Sequence, residues 1–369
     1  MSRVCHFSSV HPADDVRIFH KQCRSLAMAG HEVFFVVPAE ADAERQGVRI
    51  RAVAAAGGGR LLRMLLTAFR TFMAARAVRA RIYHFHDPEL LPWALLLKWS
   101  GARVIYDAHE DVPRDIITKT WIPAWLRRPL AWCFERAENV MARRLDCVVA
   151  ATPHIRDRFL AAGCRALDIN NYPIPGELRL ADEVGDFSAE ARPDVCYAGV
   201  IIPGRGSTEM VAAAGRAGVT LQLLGRLSPA ERERLQALPG WRQVQAPGLL
   251  PREQVAEVYA RSFAGLVLFH DEPNHTHAQP NKLFEYMSAG MPLIASNFPL
   301  WREVVEKTGA GICVDPLDVD AIAAAIRRLH EDRGLAAAMG ERGRQAIRET
   351  YNWQSEQSRL LALYDQLEA

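Results

Sequence analysis

Twice along this chain, apolar runs of strand length alternate with amphipathic stretches of helix length, and a segment rich in Pro, Gly and charge separates the two series. Neighbouring parallel strands need a long crossover, which a helix usually supplies, so the pattern predicts an α/β chain with two doubly wound, Rossmann-like domains facing a central cleft. The first series opens with VCHFSS (4–9), a polar loop HPADDVRIF, a helix ending at Gly30 and the strand HEVFFVVP (31–38). It continues with a helix at 60–80, the strands RIYHFHDPE (81–89) and ARVIYDAHED (102–111), a helical segment at 121–144 and the strand DCVVAATP (146–153). The second series runs VCYAGV (195–200), TLQLLG (220–225), RQVQAPG (242–248), AGLVLF (264–269), MPLIAS and AGICV (310–314), with helices between. The expected division is 1–175 for the first domain, 176–193 for a linker, 194–350 for the second domain, and 351–369 for a last helix crossing back to the first.

The chain is 49% hydrophobic, enough for two cores, and its formal net charge is +2. That charge is unevenly placed: residues 1–175 hold 25 Lys+Arg against 17 Asp+Glu, a net of +8, which leaves −6 for residues 176–369. A basic half suits an anionic surface or partner, and no nucleic-acid partner is expected. The seven cysteines show no C-x-x-C spacing, which argues against a disulfide framework or zinc and for a reducing compartment. No signal peptide and no apolar run of membrane-spanning length is visible, so a cytoplasmic protein is expected, at most peripheral on the membrane.

Three places carry chemistry. The stretch AQPNKLFEYMSAGMPLIASN (278–297) opens a helix after a proline and closes it at Gly290. Free N–H groups at that helix start, with Asn281 and Lys282 in its first turn, suit a diphosphate, and Glu285 three residues on could accept hydrogen bonds from a ribose diol. An exposed Lys and a solvated Glu would look the same. The Gly-rich turn in YAGVIIPGRGST, with Gly204 and Arg205, also suits a diphosphate; it lacks the Lys and Ser/Thr of a P-loop. The strand ends at His84, His86 and Asp87, and at Asp107, His109, Glu110 and Asp111, bring polar groups to where ligands collect in open parallel sheets. His84-x-His86 is the period of one strand face and there is no H-E-x-x-H, so no metal site is expected. Asp15 could position a ligand with Arg17, or merely cap a helix. The arginines of 60–80 and the Trp121, Trp125, Trp132, Arg127 and Arg128 cluster suit an anionic headgroup layer, or else are packing helices with solvated arginines. The glycines at 57–59 follow no strand and read as a plain loop.

In this order, HPADDVRIFHKQCRSLAMAGHEV, HFHDPELLP, YDAHED, YAGVIIPGRG and PNKLFEYMSAGMPLIAS resemble the GT-B glycosyltransferases of family 4, retaining nucleotide-sugar enzymes, over nearly the whole length. Those of bacterial O-antigen, capsule and exopolysaccharide synthesis look most similar. The resemblance implies a sugar moved from a nucleotide-diphosphate donor, a UDP-sugar by expectation, to a glycan or polyprenyl-diphosphate-linked acceptor, without metal or other cofactor. It implies catalytic roles for His109 and Glu285, with His109 facing the donor sugar. It gives the diphosphate to Gly204, Arg205, Asn281 and Lys282, and the nucleoside to Glu285, Gly225, Arg226, Gly248 and Leu249. The acceptor would meet Asp15, Arg17, His86 and Glu110. Two departures stand out: the first glutamate of the family's E-x7-E pattern is His277, at the donor-sugar position, and an arginine usual after the first glycine of the second domain is Val200. A sugar-nucleotide 2-epimerase of related fold and a non-catalytic nucleotide-sugar-binding scaffold are the alternatives.

Overall fold

The structure, a computed structural model, describes the backbone of residues 1–369 except 55, 57–59, 120, 177–186, 189 and 274, and the same side chains except those of 60–63. The glycine run 57–59 and most of the expected linker therefore lie outside the described residues, as do the side chains of Arg60, Leu61, Leu62 and Arg63. The chain divides into two compact units, Met1–Asn171 with Trp353–Ala369, and Tyr172–Asn352.

The first unit holds β1 (Arg3–Phe7), a π-helical turn Val16–Cys23 running into α1 (Arg24–Met28), β2 (Glu32–Pro38), β3 (Ala43–Arg45) and β4 (Val48–Val53). There follow α2 (Arg60–Val78), β5 (Ile82–Phe85), α3 (Leu91–Trp99), β6 (Arg103–Ala108), α4 (Val112–Thr118) and α5 (Ala124–Ala142). The unit continues with β7 (Cys147–Ala150), α6 (Pro153–Ala161) and β8 (Ala166–Asp168). Its eight strands lie in the order β3-β4-β2-β1-β5-β6-β7-β8, all parallel except the β3–β4 pair. Because β1, β5, β6 and β7 are covered on both faces, they read as largely apolar runs, broken only by Arg3 and Arg103 at their starts and by the buried His6, His84 and Asp107. Phe7, Phe85, Tyr106 and Val148 meet in one core.

The second unit holds β9 (Asp194–Ala198), α7 (Ser207–Ala217), β10 (Leu221–Leu224), α8 (Pro229–Gln236), β11 (Val244–Gly248), α9 (Arg252–Arg261) and β12 (Ser262–Val267). Then come α10 (Asn281–Ser288), β13 (Leu293–Ser296), α11 (Pro299–Thr308), β14 (Gly311–Val314), α12 (Val319–Glu331) and α13 (Arg333–Glu349). A last helix, α14 (Trp353–Glu368), belongs to the first unit. The second sheet is parallel with the order β11-β10-β9-β12-β13-β14. Trp301, Tyr259, Tyr286 and Phe263 fill its core.

Both sheets reverse direction at their first strand: β1 lies between β2 and β5, and β9 between β10 and β12. At such a switch point the two flanking loops diverge at the carboxyl ends of the strands and leave a crevice. No helix among the described residues is long and apolar enough to cross a membrane.

Candidate functional site

In the second unit the β9–α7 loop and the segment leading from β12 to α10 both leave the carboxyl edge of the sheet at the switch point. Gly206 makes the first possible: its φ is +74°, and a Cβ there would strike the Leu268 carbonyl. Gly225 ends β10 the same way; its φ is +135°, and a Cβ would strike the Gly199 carbonyl. The Arg205 guanidinium lies 5.1 Å from the Phe269 ring centre, and its buried Nε has no hydrogen-bond partner. A guanidinium so held keeps donors for an incoming anion.

Pro280 caps α10, placing Asn281 and Lys282 in its first turn, with Asn281 exposed. Lys282 Nζ lies 2.5 Å from Glu285 Oε2, and the Tyr259 hydroxyl donates to that same oxygen at 3.1 Å. Lys282 and Glu285 side chains remain 24% and 21% exposed, so both are fixed yet reachable. Elsewhere in this unit Val200, Ile202 and Leu249 are exposed apolar side chains, Arg226 and His277 are exposed, Gly204 lies in the β9–α7 connection and Gly248 ends β11. His270 Nε2 lies 3.1 Å from Glu209 Oε2, and His275, whose imidazolium burial disfavours, packs on Phe269. Tyr259, Glu209 and His270 are not among the expected site residues; Tyr259 lies on α9, separated from Glu285 by β12 and the segment that follows it, with no spacing to link them.

In the first unit the switch point is lined with histidines. His6 on β1 pairs in register with His84 on β5, and His86 and His109 stand just beyond β5 and β6. Asp107 lies under them, fully buried. Its carboxylate accepts from Arg17 Nη2 at 2.7 Å, Arg17 Nε at 3.2 Å and Gln22 Nε2 at 2.6 Å. Burial opposes this charge, but the Arg17 guanidinium outweighs it and holds the carboxyl well below the usual carboxylate range. The His86 imidazolium is pushed down to about 4, by burial first and against the pull of Asp107. His11 stands beside His109 with ring centres 4.7 Å apart and pairs Asp87 at 3.0 Å; Asp87 also accepts from Ser8 and from the Ser9 amide.

Two expectations need correcting here, for Arg17 and His86, and Asp15 shows its capping role. Arg17 is 5% exposed and fully used, by Asp107 and by the Ile169 carbonyl at 2.6 Å, so it anchors Asp107 instead of meeting an acceptor. Asp15 accepts from the Ile18 amide at 2.9 Å, the helix-capping reading. His86 is 2% exposed and lies beneath His109, 3.1 Å from its Nε2. Glu110 is exposed, and His109 keeps 17% of its side chain accessible. His84, His86 and Asp107 offer nitrogen and oxygen atoms within 4.8 Å of one another. An ion among them would meet the Arg17 guanidinium on the same carboxylate, which makes that donor set a poor cation cradle.

The family described as "Glycosyl transferase 4-like domain" matches residues 16–175, and the one described as "Glycosyl transferases group 1" matches residues 189–346. An MMP alpha-(1->4)-mannosyltransferase of Mycolicibacterium hassiacum is 24% identical over 315 residues, 79% of this chain and 73% of that protein. A GDP-mannose-dependent alpha-(1-6)-phosphatidylinositol monomannoside mannosyltransferase of Mycobacterium tuberculosis is 38% identical over 69 residues, 19% of this chain and 18% of that protein. Sucrose-phosphate synthase from Thermosynechococcus elongatus superposes with a TM-score of 0.80 at 22% identity, covering 99% of each chain. Anabaena HepE in complex with UDP superposes at 0.73 with 13% identity, over 99% of this chain and 100% of that one.

Proposed function

This chain belongs to the family 4-like glycosyltransferases of the GT-B fold, and from that premise we infer that it is a retaining enzyme. The reading is transfer of a hexosyl group from a nucleoside-diphosphate sugar to a hydroxyl of a glycan or polyprenyl-diphosphate-linked acceptor in bacterial surface-polysaccharide synthesis. The observation that carries it is the second unit's switch point, where the Gly204–Arg205 turn and the α10 start border one carboxyl edge, with Lys282 and Glu285 one turn apart. As the glycosidic bond breaks, negative charge grows on the β-phosphate. Arg205, Lys282 and the first amides of α10 are donors that need no reorganisation to meet it. Glu285, held by Tyr259, would take the ribose diol, and Leu249 with the Gly225 and Gly248 turns would border the base. His277 would meet the donor sugar with an imidazole where the family has a carboxylate. In the first unit, His109 stands at the position where the family has a donor-facing histidine and would take that role, with Glu110 left for the acceptor.

UDP is the first choice of nucleotide, supported by the fold's likeness to a structure solved with UDP. GDP-mannose is the second reading, favoured by the mannosyltransferase relatives. We place the enzyme on the cytoplasmic membrane face. Trp121, Trp125 and Trp132 are 61%, 78% and 59% exposed around the start of α5, among its arginines, as an interfacial contact would require.

The test is product analysis with UDP- and GDP-hexoses and a lipid-linked acceptor. Release of nucleoside diphosphate with an acceptor glycosylated in the donor's anomeric configuration supports the reading. An epimerised donor without acceptor, or an inverted product, overturns it.

A further inference from the structure

His109 is the outer end of a continuous hydrogen-bonded chain. Its Nε2 lies 3.1 Å from His86 Nδ1, His86 Nε2 lies 3.0 Å from His6 Nδ1, and His6 Nε2 lies 3.0 Å from the Tyr364 hydroxyl on α14. That hydroxyl lies 2.9 Å from His84 Nδ1, where the chain ends. His6, His84, His86 and Tyr364 are all buried, and burial holds the three imidazoles neutral at pH 7.

A neutral imidazole has one N–H and one lone pair, and a phenol has one proton. Every ring between the ends must therefore donate on one side and accept on the other. The Tyr364 oxygen could also accept from both His6 and His84, but its own proton would then be buried without a partner. Two arrangements therefore satisfy every link and every inner donor: all donors point inward from His109 to His84, or all point outward.

Asp107 separates the two. Its Oδ2 faces His86 Nδ1 at 3.4 Å, His109 Nε2 at 3.6 Å and His84 Nε2 at 3.8 Å. The inward arrangement puts two protonated nitrogens near this anion, His109 Nε2, whose N–H is spent on His86, and His84 Nε2, whose N–H is free to point at it, against one bare nitrogen, His86 Nδ1. The outward arrangement turns one N–H and two lone pairs toward it. At similar distances the carboxylate favours the inward set. That set also directs a proton from His84 Nε2, which otherwise has no partner, toward the buried anion. The other groups facing the chain do not compete for its nitrogens. Arg17 and Gln22 are used by Asp107, and His11 is paired with Asp87.

We propose that the Tyr364–His6–His86 chain locks His109 as its Nε2–H tautomer, leaving Nδ1 bare as a hydrogen-bond acceptor for a substrate hydroxyl. Among the described residues Nδ1 has no hydrogen-bond partner, so the lone pair is available. Tyr364 is then a positioning residue that acts on the reaction through three rings. The part played by substrate rests on the reading of His109 as substrate-facing; the tautomer itself does not.

The experiment is nitrogen NMR of the full chain labelled with 15N-histidine, at pH 7, with the His109 signals assigned by their loss in His109→Gln. The expected pattern is a protonated Nε2 and a bare Nδ1. A protonated Nδ1, or a doubly protonated ring, overturns the proposal whatever the enzyme's activity. In Tyr364→Phe the chain is cut between His6 and His84. The His109 shifts should then move toward a tautomer average, and kcat should fall at least about ten-fold with the KM for donor unchanged. An unchanged His109 pattern in that variant contradicts the lock. Nucleotide binding, which tests the second unit, is read separately and should be as in the wild type.

Discussion

Lys282 and Glu285 form an ion pair whose neighbour, Tyr259, offers a hydroxyl to the same carboxylate oxygen. A pair this exposed is worth little to folding, so its use is in recognition. Lys282→Ala should leave stability within about 0.5 kcal/mol and cost roughly 2.7–4 kcal/mol of transition-state stabilisation, read as a fall in kcat/KM for donor. Tyr259→Phe should weaken nucleotide affinity by about 1 kcal/mol, the typical net value of one hydrogen bond, measured by calorimetry. His109→Ala should keep nucleotide binding and lose transfer; full transfer in that variant would remove the role given to this residue. Lys282 and Glu285 were legible because helix position alone puts them on the first turns of α10. Arg17 was not: a loop arginine looks free in sequence, and only folding shows that Asp107, 90 residues on, takes it up. Nor was Tyr364, which reads as an ordinary apolar position of an amphipathic helix.

Helix α14 is tied to the first unit by polar contacts as well as by packing. Arg359 reaches Asp168 at 3.0 Å, Glu356 accepts from the Asn170 amide at 2.9 Å, and the Trp353 indole donates to Ser25 at 3.0 Å. Arg359→Ala should cost on the order of 1 kcal/mol, since Arg359 is 42% exposed and Arg156 still pairs Asp168. Chemical denaturation would measure it, and early hydrogen exchange in β1 and β8 would show where the loss falls. The long central strands were legible as apolar runs. The missed elements have physical reasons. Every residue of β3 is exposed, and β4 alternates Val48 and Ile50 with Arg49 and Arg51, so neither forms an apolar block. The helical stretch expected over 121–144 instead begins at Ala124, because Pro123 caps it, and it keeps Pro129 in its second turn.

For the whole molecule, the buried imidazoles set the acid limit of stability. His6, His84 and His86 take up protons in the unfolded chain near the ordinary 6.5 but resist them in the native one, His86 down to about 4. The unfolded chain then binds more protons over that window, so stability falls as pH drops from 6.5 toward 4. The His86 share is on the order of 3 kcal/mol. Asp168, which is buried, is held at about 2 by Arg359, Asn170 and Arg156 against the cost of burial, so a further loss follows from its ordinary 3.8 down to that value. Melting temperatures across pH 7 to 3 would show the decline; a flat profile from 7 to 4 would mean the histidines are not buried neutral. The measurement closest to the central claim is a thermal-shift titration with UDP and GDP of the wild type and of Lys282→Ala. At one hundred times Kd a nucleotide should stabilise the wild type by about 2.7 kcal/mol and leave the variant's melting temperature unmoved. Equal shifts in both proteins, or none with either nucleotide in the wild type, would contradict a diphosphate seat at the start of α10.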